Sequence, residues 1–255
     1  MNDNILEKIT EARAKAPQTV SLKKLEAQAA RRKAPLDFSA CFRGEGIHVI
    51  AELKKASPSK GLIREDFPVV SLAKELESAG AAALSILTEP DCFLGKLDFI
   101  RDVRPKVRIP ILRKDFISNE YQILEARAAG ADVILLIAAV LDAKKFRELF
   151  TFASSLGLSV LCEAHTRKEI DMLVDGGAKI IGVNARDLTN FSLSLDVTME
   201  NLKHIPEGII KIAESGIQNA FHIKDLREAG ADGFLIGETL MRAEHPGEKL
   251  KELLG

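Results

Sequence analysis

Several side chains able to move protons or hold anions stand at the ends of short apolar runs: Glu52 and Lys54 after Ile50, Lys114 after Leu112, Glu163 after Leu161, Asn184 and Arg186 after Gly182, and Glu214 after Ile212. In extended chain, alternation puts Glu52, Lys114, Glu163, Asn184 and Glu214 on the same strand face as the residue two positions before each. Two lysines and two or three glutamates in one place suit general acid–base chemistry, worth about 10²–10⁴ in rate. Partial burial lowers a lysine's basicity and raises that of a glutamate, so both can approach neutrality. For one strand, a solvated end with an incidental ion pair is the simpler account. For several strands converging on one mouth it is not, so the elements that carry these residues decide the matter.

Small-residue junctions at Ala79-Gly80-Ala81, Ala129-Gly130-Ala131, Gly176-Gly177-Ala178 and Ala229-Gly230-Ala231 recur about every 50 residues. Each follows a helical pattern and precedes a short apolar run, with Gly suited to the left-handed position that ends a helix. Weaker breaks at Pro110, Gly157 and Pro206-Glu207-Gly208 divide these intervals, giving a unit of one strand and one helix. The strands expected are 48–54, 83–87, 111–114, 133–137, 159–163, 180–184, 210–213 and 233–236, eight in all. They are dense in Val, Ile and Leu, as strands covered on both faces are. The expectation is an α/β fold, a closed (β/α)₈ TIM barrel at 47–255, preceded by an N-terminal helical extension at 1–46 that packs on it, the whole forming one structural domain. In the extension, helices are expected at about 4–14 and 21–32, the second capped by Ser21, followed by a linker from Pro35 to Gly46. An open doubly wound sheet fits less well, because Gly44-Glu45-Gly46 leads into a strand rather than a helix.

With 255 residues, 46% hydrophobic and 29% charged, the chain has enough apolar mass for a full core. A net charge of −1 gives no global field for nucleic acid or anionic membrane, and the absence of Trp leaves few stacking platforms. Arg31-Arg32-Lys33 and the 101–108 basic cluster read as solvated helix faces. No apolar run approaches a membrane span, and the acidic N-terminal region does not resemble a signal peptide. Cys41, Cys92 and Cys162 form no CxxC pattern, which suits a reducing cytoplasm, and Cys162 reads as core because it alternates away from Glu163. The five histidines show no ligand spacing, so no metal is expected.

In barrels of this kind active sites lie at the strands' C-terminal ends, with phosphate commonly held after strands seven and eight. There the chain has Glu214-Ser215-Gly216-Ile217 and Gly237-Glu238-Thr239-Leu240-Met241, whose glycines open backbone N–H groups to an anion. The Glu238 carboxylate must then point away and leave only its N–H. Across the chain, IAELKKASPSKG (50–61), SILTEPDCFLG (85–95), PILRKDF (110–116), GADVILLIAAVL (130–141), GVNARDL (182–188), IAESGI (212–217) and FLIGETLM (234–241) resemble the indole-3-glycerol-phosphate synthase family, in order and over nearly the whole barrel.

That resemblance implies cofactor-free closure of 1-(2-carboxyphenylamino)-1-deoxyribulose 5-phosphate to indole-3-glycerol phosphate, with loss of carbon dioxide and water, in tryptophan biosynthesis. It implies Lys114 as general acid toward the ketose carbonyl, Glu163 as base in the dehydration, and Glu52 holding the lysines and substrate hydroxyls. Lys54 and Arg186 face the anthranilate carboxylate, Lys54 also being a candidate second acid, and Asn184 binds near a hydroxyl or the ring nitrogen. Glu214, Ser215, Gly216, Gly237 and Glu238 form the sugar-phosphate end, and Ser57 lies on the mobile first loop. Phe93, Phe116, Leu135 and Leu188 are expected to wall the aryl ring. The partner is a small phosphorylated substrate, and the chain is expected to be a cytoplasmic monomer or weak homodimer, open to association with other tryptophan-pathway enzymes. The alternatives are a barrel like the preceding pathway isomerase (phosphoribosylanthranilate isomerase) and a non-catalytic phospho-ligand-binding barrel. The isomerase needs a Cys base where this first strand ends in Glu52 and Lys54.

Overall fold

The computed structural model describes residues 5–187 and 192–255. Eight parallel strands close into a barrel: β1 (Val49–Leu53), β2 (Ala83–Leu87), β3 (Ile111–Lys114), β4 (Val133–Ile137), β5 (Ser159–Ala164), β6 (Ile180–Asn184), β7 (Ile210–Glu214) and β8 (Gly233–Ile236). Closure comes from β1, which pairs with β2 through Ile50↔Ala83 and Glu52↔Ser85 and with β8 through Val49↔Phe234 and Ala51↔Ile236. Alternation sorts the apolar side chains into two layers. Ile50, Leu112, Leu161, Ile212 and Leu235 pack inside the barrel, while Ala51, Ile111, Cys162, Ile181 and Phe234 pack outward against the helices. The four repeat junctions each end in a left-handed glycine, at Gly80, Gly130, Gly177 and Gly230, where a side chain would be strained.

The N-terminal extension holds α1 (Ile5–Ala14) and α2 (Leu22–Ala30). Ser21 occupies the cap position of α2, but its side chain bonds no helix N–H, so the expected cap is absent. α2 is held by packing instead: Leu25 and Ala29 meet Tyr121, Leu124 and Ala128 of α3 (Glu120–Ala129), and the Tyr121 hydroxyl bonds the Val20 backbone. The basic clusters are not solvated faces throughout. Arg32 donates to the Ala128 and Ala129 carbonyls at 2.8 and 3.1 Å, supplying donors that the end of α3 lacks. Arg104 pairs with Asp132 at 2.7 Å and donates to the Val107 and Ile109 carbonyls.

The stretch expected to be a plain linker does more than connect. It contains a 3₁₀ turn, Ser39–Phe42, and inserts Phe38, fully buried, into the interior apolar cluster near the strands' N-terminal ends. Phe42 stacks edge-on against Phe38 at 5.0 Å and lies so close to Gly233 that any side chain there would collide with the ring. The barrel floor is thereby plugged from a segment before its first strand. At the other end α1 brings Leu6 and Ile9, both buried, into the same interior cluster as Phe116, Leu135 and Ile137.

Candidate active site

A cavity of about 500 Å³ opens at the strands' C-terminal ends. On its floor the Lys114 ammonium lies 3.1 Å from Glu163 Oε2 and 3.0 Å from Glu214 Oε2. Asn184 donates to Glu163 Oε1 at 3.1 Å, and its own carbonyl oxygen accepts the Arg186 N–H at 3.0 Å. Across the floor Lys54 pairs with Glu52 at 2.7 Å. The carboxylates of Glu52, Glu163 and Glu214 are almost wholly withdrawn from solvent, which is costly unless each charge is opposed or neutralised.

That withdrawal sets protonation, for Glu214 in the direction the sequence suggests and for Lys114 and Glu163 in the opposite one. Burial alone would lower the Lys114 pKa, but Glu163, Glu214 and Glu52 outweigh it and hold the amine well above the ordinary lysine value. The neighbours are anions rather than cations, so Lys114 stays an ammonium. Burial would likewise raise Glu163, yet Lys114 and the Asn184 bond bring it below the usual range, leaving it ionised. One ammonium cannot fully serve two carboxylates. Glu214 carries the residue of that competition: burial raises it, Lys114 opposes, and Glu163 pushes it further, to about 8. Its Oε1 finds no hydrogen-bond partner among the described residues and lies where a side chain at residue 182 would have to be, so Gly182 is required by contact.

The other end of the cavity is built from backbone. Ser215 and Gly216 both adopt left-handed φ, +68° and +75°, turning the chain sharply after β7. The Thr239 hydroxyl donates to the Ile217 carbonyl at 2.6 Å, tying the loop after β7 to α4 (Glu238–Arg242) after β8. Gly237 has negative φ, and the reason for glycine is proximity: an added Cβ would collide with the Glu52 carboxylate. The Glu238 carboxylate turns toward cations, 3.0 Å from Arg242, 3.7 Å from Lys60 and 3.8 Å from Arg186. Burial raises its pKa, but Arg242, Lys60 and Lys54 hold it below the usual value. Ser57 and Lys60 reach the mouth on a small hairpin, Ala56–Ser57 with Gly61–Leu62, in the loop after β1.

Of the residues expected from sequence, Glu52, Lys54, Ser57, Phe93, Lys114, Phe116, Leu135, Glu163, Asn184, Arg186, Ser215, Gly216, Gly237 and Glu238 all line this one cavity. Glu214 lies just behind the floor, reaching Lys114. Leu188 falls outside the described residues. Phe93 is aimed by its own loop, because Glu89 accepts the N–H groups of Asp91, Cys92 and Phe93 and turns the chain inward. Gly95 closes that loop against the Leu87 carbonyl, with its neighbour Leu94 left-handed and half exposed. Sequence reasoning missed Ile5, Leu6 and Ile9 of α1, which also line the cavity. The only available signal was their apolar spacing, which says that a face is buried and not against what.

A closed parallel barrel with a buried ammonium among glutamates at its carboxyl-end mouth defines the class: a (β/α)₈-barrel protein equipped for acid–base work. Among solved structures of similar shape are 3-hexulose-6-phosphate synthase from Salmonella typhimurium (TM-score 0.65, 14% identity, covering 81% of this chain and 96% of that one) and a tryptophan synthase α-subunit from Pyrococcus furiosus (TM-score 0.64, 16% identity, 84% and 100%). At such identities they speak for the fold alone. Sequence relatives go further. The profile of indole-3-glycerol phosphate synthase matches residues 2–253. A Ruminiclostridium cellulolyticum protein of that name is 43% identical over 97% of this chain and 95% of its own, and one from Koribacter versatilis is 51% identical over 82% and 81%. The chain belongs to the indole-3-glycerol phosphate synthase family, the carboxy-lyases of tryptophan biosynthesis.

Proposed function

We propose that the cavity closes the indole ring of 1-(2-carboxyphenylamino)-1-deoxyribulose 5-phosphate, with Lys114 as general acid and Glu163 as general base. The observation that carries the reading is the Lys114–Glu163 pair at 3.1 Å, an ammonium and an ionised carboxylate at rest on the floor of the mouth. An acid must start protonated and a base ionised, and these two groups do. The aryl carbon attacks the ketose carbonyl carbon while Lys114 gives its proton to the carbonyl oxygen. Loss of carbon dioxide returns the bonding electrons to the ring. Glu163 then removes the proton whose departure forms the new ring double bond, while Lys54, the second acid, protonates the hydroxyl, which leaves as water. Glu52 holds Lys54, Asn184 holds Glu163 in line, and Glu214 shares the Lys114 ammonium.

Lys54 and Arg186 face the departing carboxylate in this reading, and each already has a protein carboxylate, Glu52 at 2.7 Å and Glu238 at 3.8 Å. A grip shared in this way is loose enough to release carbon dioxide. The phosphate sits against Ser215, Gly216, Gly237 and the Glu238 N–H, while Phe93, Phe116 and Leu135 flank the aryl ring. Ser57 closes from the first loop. Residues 1–46 and the barrel at 47–255 act as one domain, a cytoplasmic monomer or weak homodimer open to other tryptophan-pathway enzymes; three free thiols suit that compartment. Incubation with the carboxyphenylamino-ribulose phosphate should generate indole fluorescence. Absence of fluorescence from folded protein with authentic substrate refutes the reading.

A further inference from the structure

Lys114 is flanked in the chain by two residues that the proton-transfer scheme does not use, Arg113 and Asp115, and both side chains are completely buried. Asp115 accepts five hydrogen bonds. Its Oδ1 receives the Phe116 N–H at 2.9 Å and Arg13 Nε at 2.8 Å. Its Oδ2 receives Arg13 Nη2 at 2.8 Å, the Thr88 hydroxyl at 2.6 Å and Arg113 Nη2 at 2.9 Å. Arg113 is bound in turn to the Gln122 carbonyl at 2.7 Å, to Thr88 Oγ1 at 3.1 Å and to Glu125 at 3.4 Å. The Thr88 N–H donates to the Lys114 carbonyl at 3.1 Å, so the same cluster grips the backbone that carries the acid.

Arg13 comes from elsewhere. It is in the last turn of α1, the helix whose Ile5, Leu6 and Ile9 wall the substrate cavity. The fork of its guanidinium onto Asp115 is bidentate, the geometry that fixes orientation as well as distance. Burial would raise the Asp115 pKa, but Arg113 and Arg13 hold it down at about 2, so the clamp stays charged through the neutral range. A buried ion cluster is weak evidence for stability, since apolar packing can serve as well. What charges with this geometry supply is one arrangement. We infer that Asp115 is a positioning residue for the ring closure: through Arg13 it seats α1 as a wall of the substrate cavity, and through Arg113 and Thr88 it fixes the strand end that presents Lys114. This rests on the reading of Lys114 as the acid.

The clamp can be opened from either side. Arg13→Gln frees α1 and leaves β3 pinned, so KM should rise about tenfold with kcat held within about threefold, the signature of lost substrate positioning. Arg13→Lys, keeping the charge but not the fork, should give an intermediate KM. Asp115→Asn disturbs both arms and should lower kcat about tenfold as well as raise KM. In that background Arg13→Gln should add little, because the two residues act as one unit. Steady-state rates by indole fluorescence, on variants checked for unchanged fold by circular dichroism, provide the readout. Wild-type KM in Arg13→Gln overturns the inference, as does an Arg13→Gln effect of equal size with and without Asp115. If Asp115→Asn does not fold, the graded KM of the two Arg13 variants decides. Lys114→Ala, run alongside, separates the two ideas: wild-type turnover there removes the acid, whereas a dead Lys114→Ala with wild-type KM in Arg13→Gln removes only the clamp.

Discussion

The two ends of this barrel are built from the same strands and hold opposite things. At the floor, Phe38 and Phe42 fill the space between the strands' N-terminal ends, and Gly233 is small to admit a ring. At the mouth, Glu163, Glu214 and Glu52, as withdrawn from solvent as the core, crowd charge around Lys114, and Gly182 and Gly237 are small to admit carboxylates. The glycines do equivalent work at the two ends, making room for an atom of another residue. What differs is the cost of the occupant. Apolar rings gain by leaving water, about 25 cal/mol for each Å². Buried carboxylates lose by it, and here two share a single ammonium while a third is bound to Lys54. The floor stabilises the fold and the mouth draws on that stability.

Breaking the mouth should therefore cost rate and breaking the floor should cost stability. The largest expected effect is on turnover: Lys114→Ala and Glu163→Gln should each lower kcat by at least about 10², with substrate binding changed little. Wild-type rates in both would dissolve the distinction. Next, Phe38→Ala should lower unfolding free energy by about 3–5 kcal/mol, the usual cost of emptying a buried aromatic site, while kcat per folded molecule stays within about threefold. Urea titration and active-site-normalised rates check the two halves separately.

A subtler contrast lies in pH. Glu214 ionises near 4.5 in an unfolded chain and at about 8 in the folded one, so between those values the folded state holds a proton that the unfolded state has lost. Its contribution is fully present below pH 4.5 and disappears as pH rises through 8, so stability should fall across that window. Glu214→Gln should flatten the slope, and urea midpoints at pH 5 and pH 8 measure it; an unchanged slope would mean that the carboxyl ionises normally. The smallest effect is expected at the phosphate end. Gly237→Ala meets Glu52 directly and should weaken phosphate-bearing ligands about tenfold, and dephosphorylated ones less. Equal weakening of both would place the disturbance at Glu52 rather than at the phosphate.

The strands were legible in the sequence because a two-residue period is local. All eight agree within one residue at each end: five match at both ends, β5 and β7 run one residue further at the C-terminal end, and β1 is shorter by one at both. The same period assigned Glu52, Lys114, Glu163, Asn184 and Glu214 to the barrel interior. The repeat of glycine junctions supplied the count of units, and hence the closure that draws those strand ends together. The glycine roles were legible only in part. Gly80 and Gly130 could be read as helix ends, but Gly237 and Gly182 answer to carboxylates contributed by other strands.

Composition and periodicity thus determined the barrel, its eight units and which strand ends carry chemistry, since all of these follow from short-range alternation and from turn residues. Only the tertiary structure decided the protonation of Lys114, because its basicity depends on charges 49 and 100 residues away rather than on its neighbours in the chain. It alone decided that Phe38 plugs the floor and that α1 walls the mouth. An apolar stripe states that something must cover it, and the partner is set by long-range packing and by the grip of Arg13 on Asp115.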